Sequence, residues 1–252
     1  MVWVFVSADQ VEGGRLRLTG EAARHVGGAL RVRPGEELVA VTEDRLEHTC
    51  RVLEASPKEV LAEVLRSSRS RHEPAREVRV AQALLKGDQF ERILEYGTEL
   101  GVSEFQPILT ARVVARPAPE KLTQRGERWR QVCRQGAELA HRGRIPAVLE
   151  PATAAEATAQ AVRSGLAAYL LYEGPGLPSL GDSVAAEGGC CLLVGPEGGW
   201  SEAEIMVARQ AGAQPVTLGP RIMRPLPAVL AAVAIVLDRS HDLELKEDGA
   251  SE

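Results

Sequence analysis

Two short turns in this chain have the composition to hold a ligand with backbone atoms. The first is Leu192-Leu-Val-Gly-Pro-Glu-Gly-Gly-Trp-Ser-Glu-Ala-Glu204 and the second is Leu218-Gly-Pro-Arg-Ile-Met-Arg224. Each starts as an apolar run, breaks into a turn containing glycine and proline, and gives way to a helical pattern. Two such strand-to-helix turns close together surround one small molecule with N–H and C=O groups. Reactive side chains are sparse in both, so the predicted site binds a cofactor through the main chain. Gly195-Pro-Glu-Gly-Gly199 matches neither of the common phosphate-loop patterns, and Glu197 would repel a phosphate. A carboxylate here suits a cationic or neutral polar ligand. By itself the loop reads as a tight turn whose glycines supply positive φ. The second turn, with Tyr172-Glu173-Gly174 at the end of another apolar run, tips the reading toward a site.

The elements that would position these turns follow from periodicity. After residue 74, strand and helix signals alternate. Strands are predicted at Val78–Leu84, Phe105–Leu109, Ala168–Tyr172, Cys190–Val194 and Pro215–Leu218. A helix over Asp88–Leu100 places Phe90, Ile93, Leu94 and Gly97 on one side and stops at Gly101. Further helices are predicted at Glu120–His141, Ala154–Ser164, Ser201–Ala211 and Pro227–Arg239. The third of these opens with Ser201-x-x-Glu204, a capping box that stabilises a helix start by about 1 kcal/mol. Such alternation indicates an α/β fold with a mostly parallel sheet. Leu226–Leu237 has no charged or hydrogen-bonding side chain, so that helix is expected to be covered on every side, by a core or by another subunit.

Residues 1–68 read differently, as a small β domain. Val2–Val6, Arg15–Leu18, Glu37–Thr42, His48–Ala55 and Glu59–Leu65 are short strand-like runs, interrupted by one helical segment at Glu21–Leu30. The polar, basic stretch Arg66–Pro74 is the linker candidate. A second domain then spans 75–245, followed by an acidic tail, 246–252.

The net charge of -5 conceals an uneven distribution. Nine Arg and Lys face three Glu between Arg112 and Pro146, five Arg face two Glu between Arg66 and Arg79, and the last fifteen residues hold six acids against two bases. Two basic blocks in an acidic protein fit a cationic face toward a polyanion; they fit solvated Arg-rich helix faces as well. The four cysteines show no C-x-x-C spacing, which argues against a zinc site, and no metal is expected. Adjacent Cys190 and Cys191 read as small core residues of a cytoplasmic protein. No apolar run approaches bilayer-spanning length, and the N-terminus lacks the marks of a signal peptide.

The sequence resembles the RsmE family, SPOUT-superfamily methyltransferases acting on ring nitrogen 3 of a uridine in small-subunit ribosomal RNA. The matching pieces are Gly195-Pro-Glu-Gly-Gly-Trp-Ser-x-x-Glu204, Leu218-Gly-x-Arg-Ile-Met-Arg224, Lys86-Gly-Asp88, Thr98-Glu-Leu-Gly-Val102, Arg128-Trp129 and the segment from His25 to Arg31. They run in the family's order along nearly the whole chain. The resemblance implies an N-terminal PUA-like β-barrel and a C-terminal SPOUT α/β domain with a deep trefoil knot, a feature too rare to propose from pattern. It also implies S-adenosylmethionine as cofactor, a homodimer, and ribosomal RNA or the small ribosomal subunit as partner. The implied cofactor residues are Leu171, Tyr172, Glu173, Gly195, Pro196, Glu197, Gly198, Gly199, Leu218, Gly219, Ile222, Met223, Arg224 and Leu226. Arg224 is the implied catalytic group, stabilising charge on the uracil oxygens, with no general base identified. Arg31, Lys86, Arg112 and Arg142 match basic positions expected to touch RNA, joined by Arg24 and, from the basic blocks, Arg69 and Arg71.

Three departures from the family pattern stand out. After Arg224 the family's Thr-Glu-Thr-Ala is replaced by Pro225-Leu-Pro-Ala228, losing a carboxylate and two hydroxyls. Prolines start helices well, so the fold is expected to survive. Glu-Gln-Ser-Gly-Arg becomes Glu138-Leu-Ala-His-Arg142, and a lysine before Thr98 is replaced near Tyr96. The leading expectation is an S-adenosylmethionine-dependent RNA methyltransferase. Its rivals are a catalytically weak or retargeted RNA-binding protein on the same fold, and a small-molecule-binding α/β protein without an RNA partner.

Overall fold

The computed structural model describes residues 1–112 and 119–244, with the side chains of 119–121 left aside. The tail 246–252 and Arg116 of the second basic block lie outside the described residues. The chain divides into two units.

Met1–Glu73 and Ala137–Ile145 make up the first unit. Its elements are β1 (Val2–Phe5), β2 (Val11–Glu12), β3 (Arg15–Thr19), the one-turn α1 (Gly20–Ala23), β4 (Glu37–Val41), β5 (Leu46–Ala55) and β6 (Glu59–Arg69). They form one six-stranded sheet in the order β1-β4-β5-β6-β3-β2. Only the β1–β4 pair is parallel. Alternation places Val4, Leu16, Leu18, Leu38, Ala40, Cys50, Val52, Val60 and Ala62 in one core. The opposite faces of β1 and β4 carry Trp3, Phe5, Val39 and Val41, which pack with Ala137 and Ile145. A segment distant in sequence thus completes this unit.

One expectation for the first unit is sharpened and one corrected. The helix at Glu21–Leu30 is α1 followed by a π-helical turn, Arg24–Ala29, in which Leu30 N–H donates to His25 O at 2.9 Å. The linker does not begin at Arg66, because Arg66–Arg69 completes β6 and pairs with Leu46–Thr49. Ladder bonds join backbone to backbone, so a polar, exposed stretch extends a strand without an apolar signal.

The second unit comprises Pro74–Gly136 and the chain from Pro146 onward. It contains β7 (Val78–Ala83), α2 (Gln89–Leu100), β8 (Glu104–Ile108), α3 (Pro119–Leu139) up to Gly136, β9 (Ala147–Val148), α4 (Ala154–Arg163) and β10 (Ala167–Leu171). The short α5 (Leu180–Ser183), β11 (Cys190–Val194), α6 (Glu202–Gln210), β12 (Gln214–Val216) and α7 (Pro225–Arg239) follow. The sheet is parallel throughout, in the order β12-β10-β11-β7-β8-β9. Every residue of β7 and β11 is buried, as a central parallel strand requires. Ala81, Ile108, Leu170, Cys191 and Leu193 pack with Ala154, Ala157, Ala161 and Ala208 of α4 and α6. α7 packs on β7 and β11 and against α2 and α5.

α2 buries Phe90, Ile93, Leu94 and Gly97 and stops at Gly101, whose φ is 111°. Burial pushes the Cys190 thiol up to about 11 and that of Cys191 up to about 12, so both act as small apolar core residues. Within one chain, α7 is covered unevenly. Ala228, Val229, Ala232, Val233, Val236 and Leu237 are buried, while Leu230, Ala231, Ala234 and Ile235 are only half-covered and Pro227 is exposed. One chain covers a single face of this apolar helix.

Candidate active site

Three neighbouring strands, β12, β10 and β11, end side by side, and the turns that follow them enclose one cavity of about 370 Å³. Ligands of parallel sheets bind at this carboxyl edge, where successive turns leave backbone groups unpaired. β10 delivers Leu171, Tyr172 and Glu173; β11 delivers Val194 and the Gly195–Trp200 loop; β12 leads to Thr217–Arg224, and α7 closes the wall with Pro225 and Ala228.

The first loop is braced on several sides. Trp200 Nε1–H donates to Leu171 O at 3.1 Å, fastening the β11 turn to the end of β10. A β-carbon on Gly195 would lie 3.1 Å from that indole, so any larger residue there would press on Trp200. Gln82, buried in β7, donates from Nε2 to Gly195 O at 3.2 Å and to Ala83 O at 2.9 Å. Gly199 has φ +69° and its N–H donates to Pro196 O at 2.9 Å. A side chain there would be strained and would approach the Glu173 carboxylate.

The capping box read from the sequence is formed. Ser201 N–H and Oγ donate to Glu204 Oε2 at 2.9 and 2.7 Å, and Glu204 N–H donates back to Ser201 Oγ at 3.3 Å. Glu204 also accepts from Ala111 N–H at 2.8 Å through Oε1. Burial pushes its acidity up, but the bonds from Ser201 and Ala111 and the charge of Arg112 outweigh that, holding the carboxyl below the usual range. The second turn has its own brace, since Gly219 N–H donates to Thr217 Oγ1 at 3.1 Å.

The walls combine the glycine-containing turns with apolar residues such as Leu171, Val194, Trp200 and Met223. Two carboxylates, Glu173 and Glu197, and two guanidiniums, Arg221 and Arg224, are all exposed, and Ile222 forms an apolar lip, 89% exposed. This set suits a zwitterionic ligand with an additional positive centre and an apolar body. S-adenosylmethionine has that chemistry: a sulfonium, an ammonium and a carboxylate beside a flat nucleoside.

Of the expected cofactor residues, Leu171, Tyr172, Glu173, Gly195, Pro196, Glu197, Gly199, Leu218, Gly219, Ile222, Met223 and Arg224 line the cavity. Gly198 and Leu226 do not. Gly198 O instead accepts from Arg112 Nη1 at 2.8 Å, and Leu226 is half-buried on α7. Val194, Trp200, Thr217, Arg221, Pro225 and Ala228 line it without having been expected. Trp200 and Arg221 stand within the two motifs, and Val194 and Thr217 mark strand ends, so motif and strand boundary were the available signals.

Among the residues expected to contact RNA, Arg24, Arg31, Arg69, Arg71, Lys86 and Arg112 are exposed. Arg142 is not, and its assignment is corrected. It is 1% exposed and donates to Glu73 from Nε at 2.9 Å and from Nη2 at 2.6 Å. Glu73 also accepts from Gly143 N–H and Arg144 Nε, each at 3.0 Å. Burial pushes the Glu73 carboxyl up, yet the Arg142 hydrogen bonds and charge, with help from Arg144 and Gly143, bring it below the ordinary value. A guanidinium engaged in this way holds the first unit together.

Comparison with known proteins agrees with this geometry. Residues 71–237 match the model of an RNA methyltransferase domain, and residues 18–65 that of an RNA methyltransferase PUA domain. Ribosomal RNA small subunit methyltransferase E of Bacillus subtilis (strain 168) is 29% identical over 231 residues, covering 89% of this chain and 90% of its own. The protein of the same name from Mycobacterium tuberculosis (strain CDC 1551 / Oshkosh) is 33% identical over 221 residues, 86% of this chain and 84% of its own. The crystal structure of ribosomal RNA small subunit methyltransferase E from Neisseria gonorrhoeae, bound to S-adenosyl methionine, superposes with a TM-score of 0.84 at 29% identity, covering 93% of this chain and 95% of that one. With the fold, the cavity and the motif pair in agreement, the chain belongs to the ribosomal RNA small subunit methyltransferase E family.

Proposed function

We propose that this protein methylates ring nitrogen 3 of a uridine in small-subunit ribosomal RNA, with S-adenosylmethionine as methyl donor. The observation that carries the reading is the cavity at the ends of β10, β11 and β12, lined by all the expected cofactor residues except Gly198 and Leu226. Bound there, S-adenosylmethionine supplies an electrophilic methyl group. Glu173 and Glu197 offset positive charge at the rim, and the main chain of Gly195–Gly199 and Leu218–Gly219 holds the ligand in place. Arg224 stands on the same wall and is the catalytic residue of this reading. The uracil N–H titrates roughly two units above neutral, so forming its anion costs about 3 kcal/mol. A guanidinium beside the uracil oxygens offsets that cost, and positioning of the two reactants supplies much of the rest.

The same reading includes two SPOUT features, a deep trefoil knot in the second unit and a homodimer. The half-covered stripe Leu230, Ala231, Ala234 and Ile235 supports pairing through α7. It further includes a PUA-like barrel over residues 1–68, a methyltransferase domain over 75–245, and a cytoplasmic location. Exposed Arg24, Arg31, Arg69, Arg71, Lys86 and Arg112 are its RNA contacts. The catalytically weak alternative is not favoured: Pro225 forms part of the cavity wall, and the named relatives are methyltransferases. Calorimetry with S-adenosylmethionine is the direct test, and absence of binding at millimolar cofactor sinks the reading. Mass mapping of ribosomal RNA from a deletion strain then names the nucleotide, and an unchanged map removes the uridine assignment.

A further inference from the structure

The end of α3 carries a ring cluster that methyl transfer does not use. His141 has φ +54°, in the left-handed region that favours glycine, and the family pattern has glycine at this position. Its imidazole stacks on the Trp3 indole with centroids 4.7 Å apart and planes 16° from parallel. Trp3 is buried and donates from Nε1 to Arg142 O at 2.9 Å, so the indole plane is fixed from behind. His72 stands edge-on to both rings, at 5.6 Å from Trp3 and 6.5 Å from His141. The segments bearing the two histidines are tied together by Glu73, which binds Arg142, Gly143 and Arg144. Both histidines are exposed, as are Arg69 and Arg71 on the approach to His72.

We propose that Trp3, His141 and His72 form a stacking platform for an unpaired RNA base. The inference rests on the RNA-binding part of the function proposed above. One face of the His141 ring lies on Trp3, and the residue is exposed, so an oriented ring is within reach of a base. A flat π surface beside cations is what proteins offer to single-stranded RNA, because every base has a stackable face and phosphates lie on either side of it. A non-glycine residue is kept in a left-handed conformation where its ring is so placed, which points to a use for the ring itself. A side chain serving only to cover Trp3 would leave RNA affinity untouched when removed.

The test uses the full-length protein and a short single-stranded oligoribonucleotide carrying a photoactivatable thiouridine. Crosslinking is expected in peptides that contain Trp3, His72 or His141. His141→Gly, which relaxes the backbone and removes the ring, is expected to weaken RNA binding by roughly 5- to 100-fold. The slope of log affinity against log salt is expected to stay as it was, since no phosphate contact is lost. His141→Asn, which tolerates the left-handed region but lacks a ring, should show the same loss, and His141→Tyr should recover most of the affinity. Unchanged affinity in both ringless variants, or crosslinks confined to other segments, overturns the platform. Methyl incorporation into ribosomal RNA is measured in parallel. Its absence with crosslinking intact overturns the proposed activity and leaves the platform standing, whereas methylation without crosslinking or affinity loss does the reverse.

Discussion

At the start of α7, Pro225, Leu226 and Pro227 stand where the family pattern has Thr, Glu and Thr; at the end of α3, Leu139, Ala140 and His141 stand where it has Gln, Ser and Gly. The prolines fall at the first and third helical positions, whose N–H groups have no intrahelical partner in any helix. Ala228 N–H still donates to Arg224 O at 3.1 Å, and Pro225 lines the cavity in place of a hydroxyl. That departure is absorbed by local geometry. At α3 the substitution instead adds a ring and keeps strain, with His141 at φ +54° over Trp3. The difference teaches that proline is accommodated where the backbone N–H already lacked a partner, whereas a ring added in a left-handed conformation brings a new surface.

The sharpest way to break the contrast is to remove what holds the α3 end in place. Replacing Glu73 by Leu removes the carboxylate that buried Arg142 shares with Arg144 and is expected to cost about 3–5 kcal/mol, read as a lower denaturant midpoint. The pH profile sharpens it further. Because the Glu73 carboxyl is held below its ordinary value of 4.5, its contribution is full above that pH and fades as pH falls through the folded value. Glu73→Gln should therefore flatten the acid limb of stability below about pH 4.5, a result that equilibrium unfolding at stepped pH checks.

At the α7 end the largest expected effect belongs to Arg224, the residue just before the prolines. Arg224→Ala is expected to slow methyl transfer by ~10²-fold, with a smaller change in cofactor affinity. Equal losses in both would make it a binding residue only. The loop brace comes next. Glu204→Ala removes the bonds from Ser201 N–H and Oγ and the Ala111 contact together, while Ser201 Oγ still caps the 204 N–H, and about 1–2 kcal/mol of stability should go with them. The smallest effect is expected from Pro227→Ala, at most about 1 kcal/mol and chiefly through the unfolded chain. Thermal unfolding with and without cofactor separates that from a role in binding, and a lost ligand-induced shift would mean the prolines are not silent.

Much of the second unit could be read from the sequence because its strands and helices announce themselves locally. Phe90, Ile93, Leu94 and Gly97 share one face, Ser201 and Glu204 form their box, and the runs at Val78 and Cys190 become fully buried strands. The cavity was legible for the same reason: its walls are turns directly after strands. Three features had no local signal. Arg66–Arg69 is a strand by backbone pairing alone, Ala137 and Ile145 join Trp3 and Phe5 from more than a hundred residues along the chain, and Arg142 is buried against Glu73. Charge and periodicity describe a residue's preference, and these outcomes depend on a partner far along the chain.

The backbone character of the cavity has a practical consequence. Carbonyl groups are present whatever the side chain, and amide N–H groups in every residue but proline, so an inhibitor anchored on the main chain of Gly195–Gly199 and Leu218–Gly219 meets contacts that few point substitutions delete. Resistance would have to come from reshaping the turns themselves, and at Gly199, with φ +69° and a carboxylate close by, the available reshaping is itself destabilising.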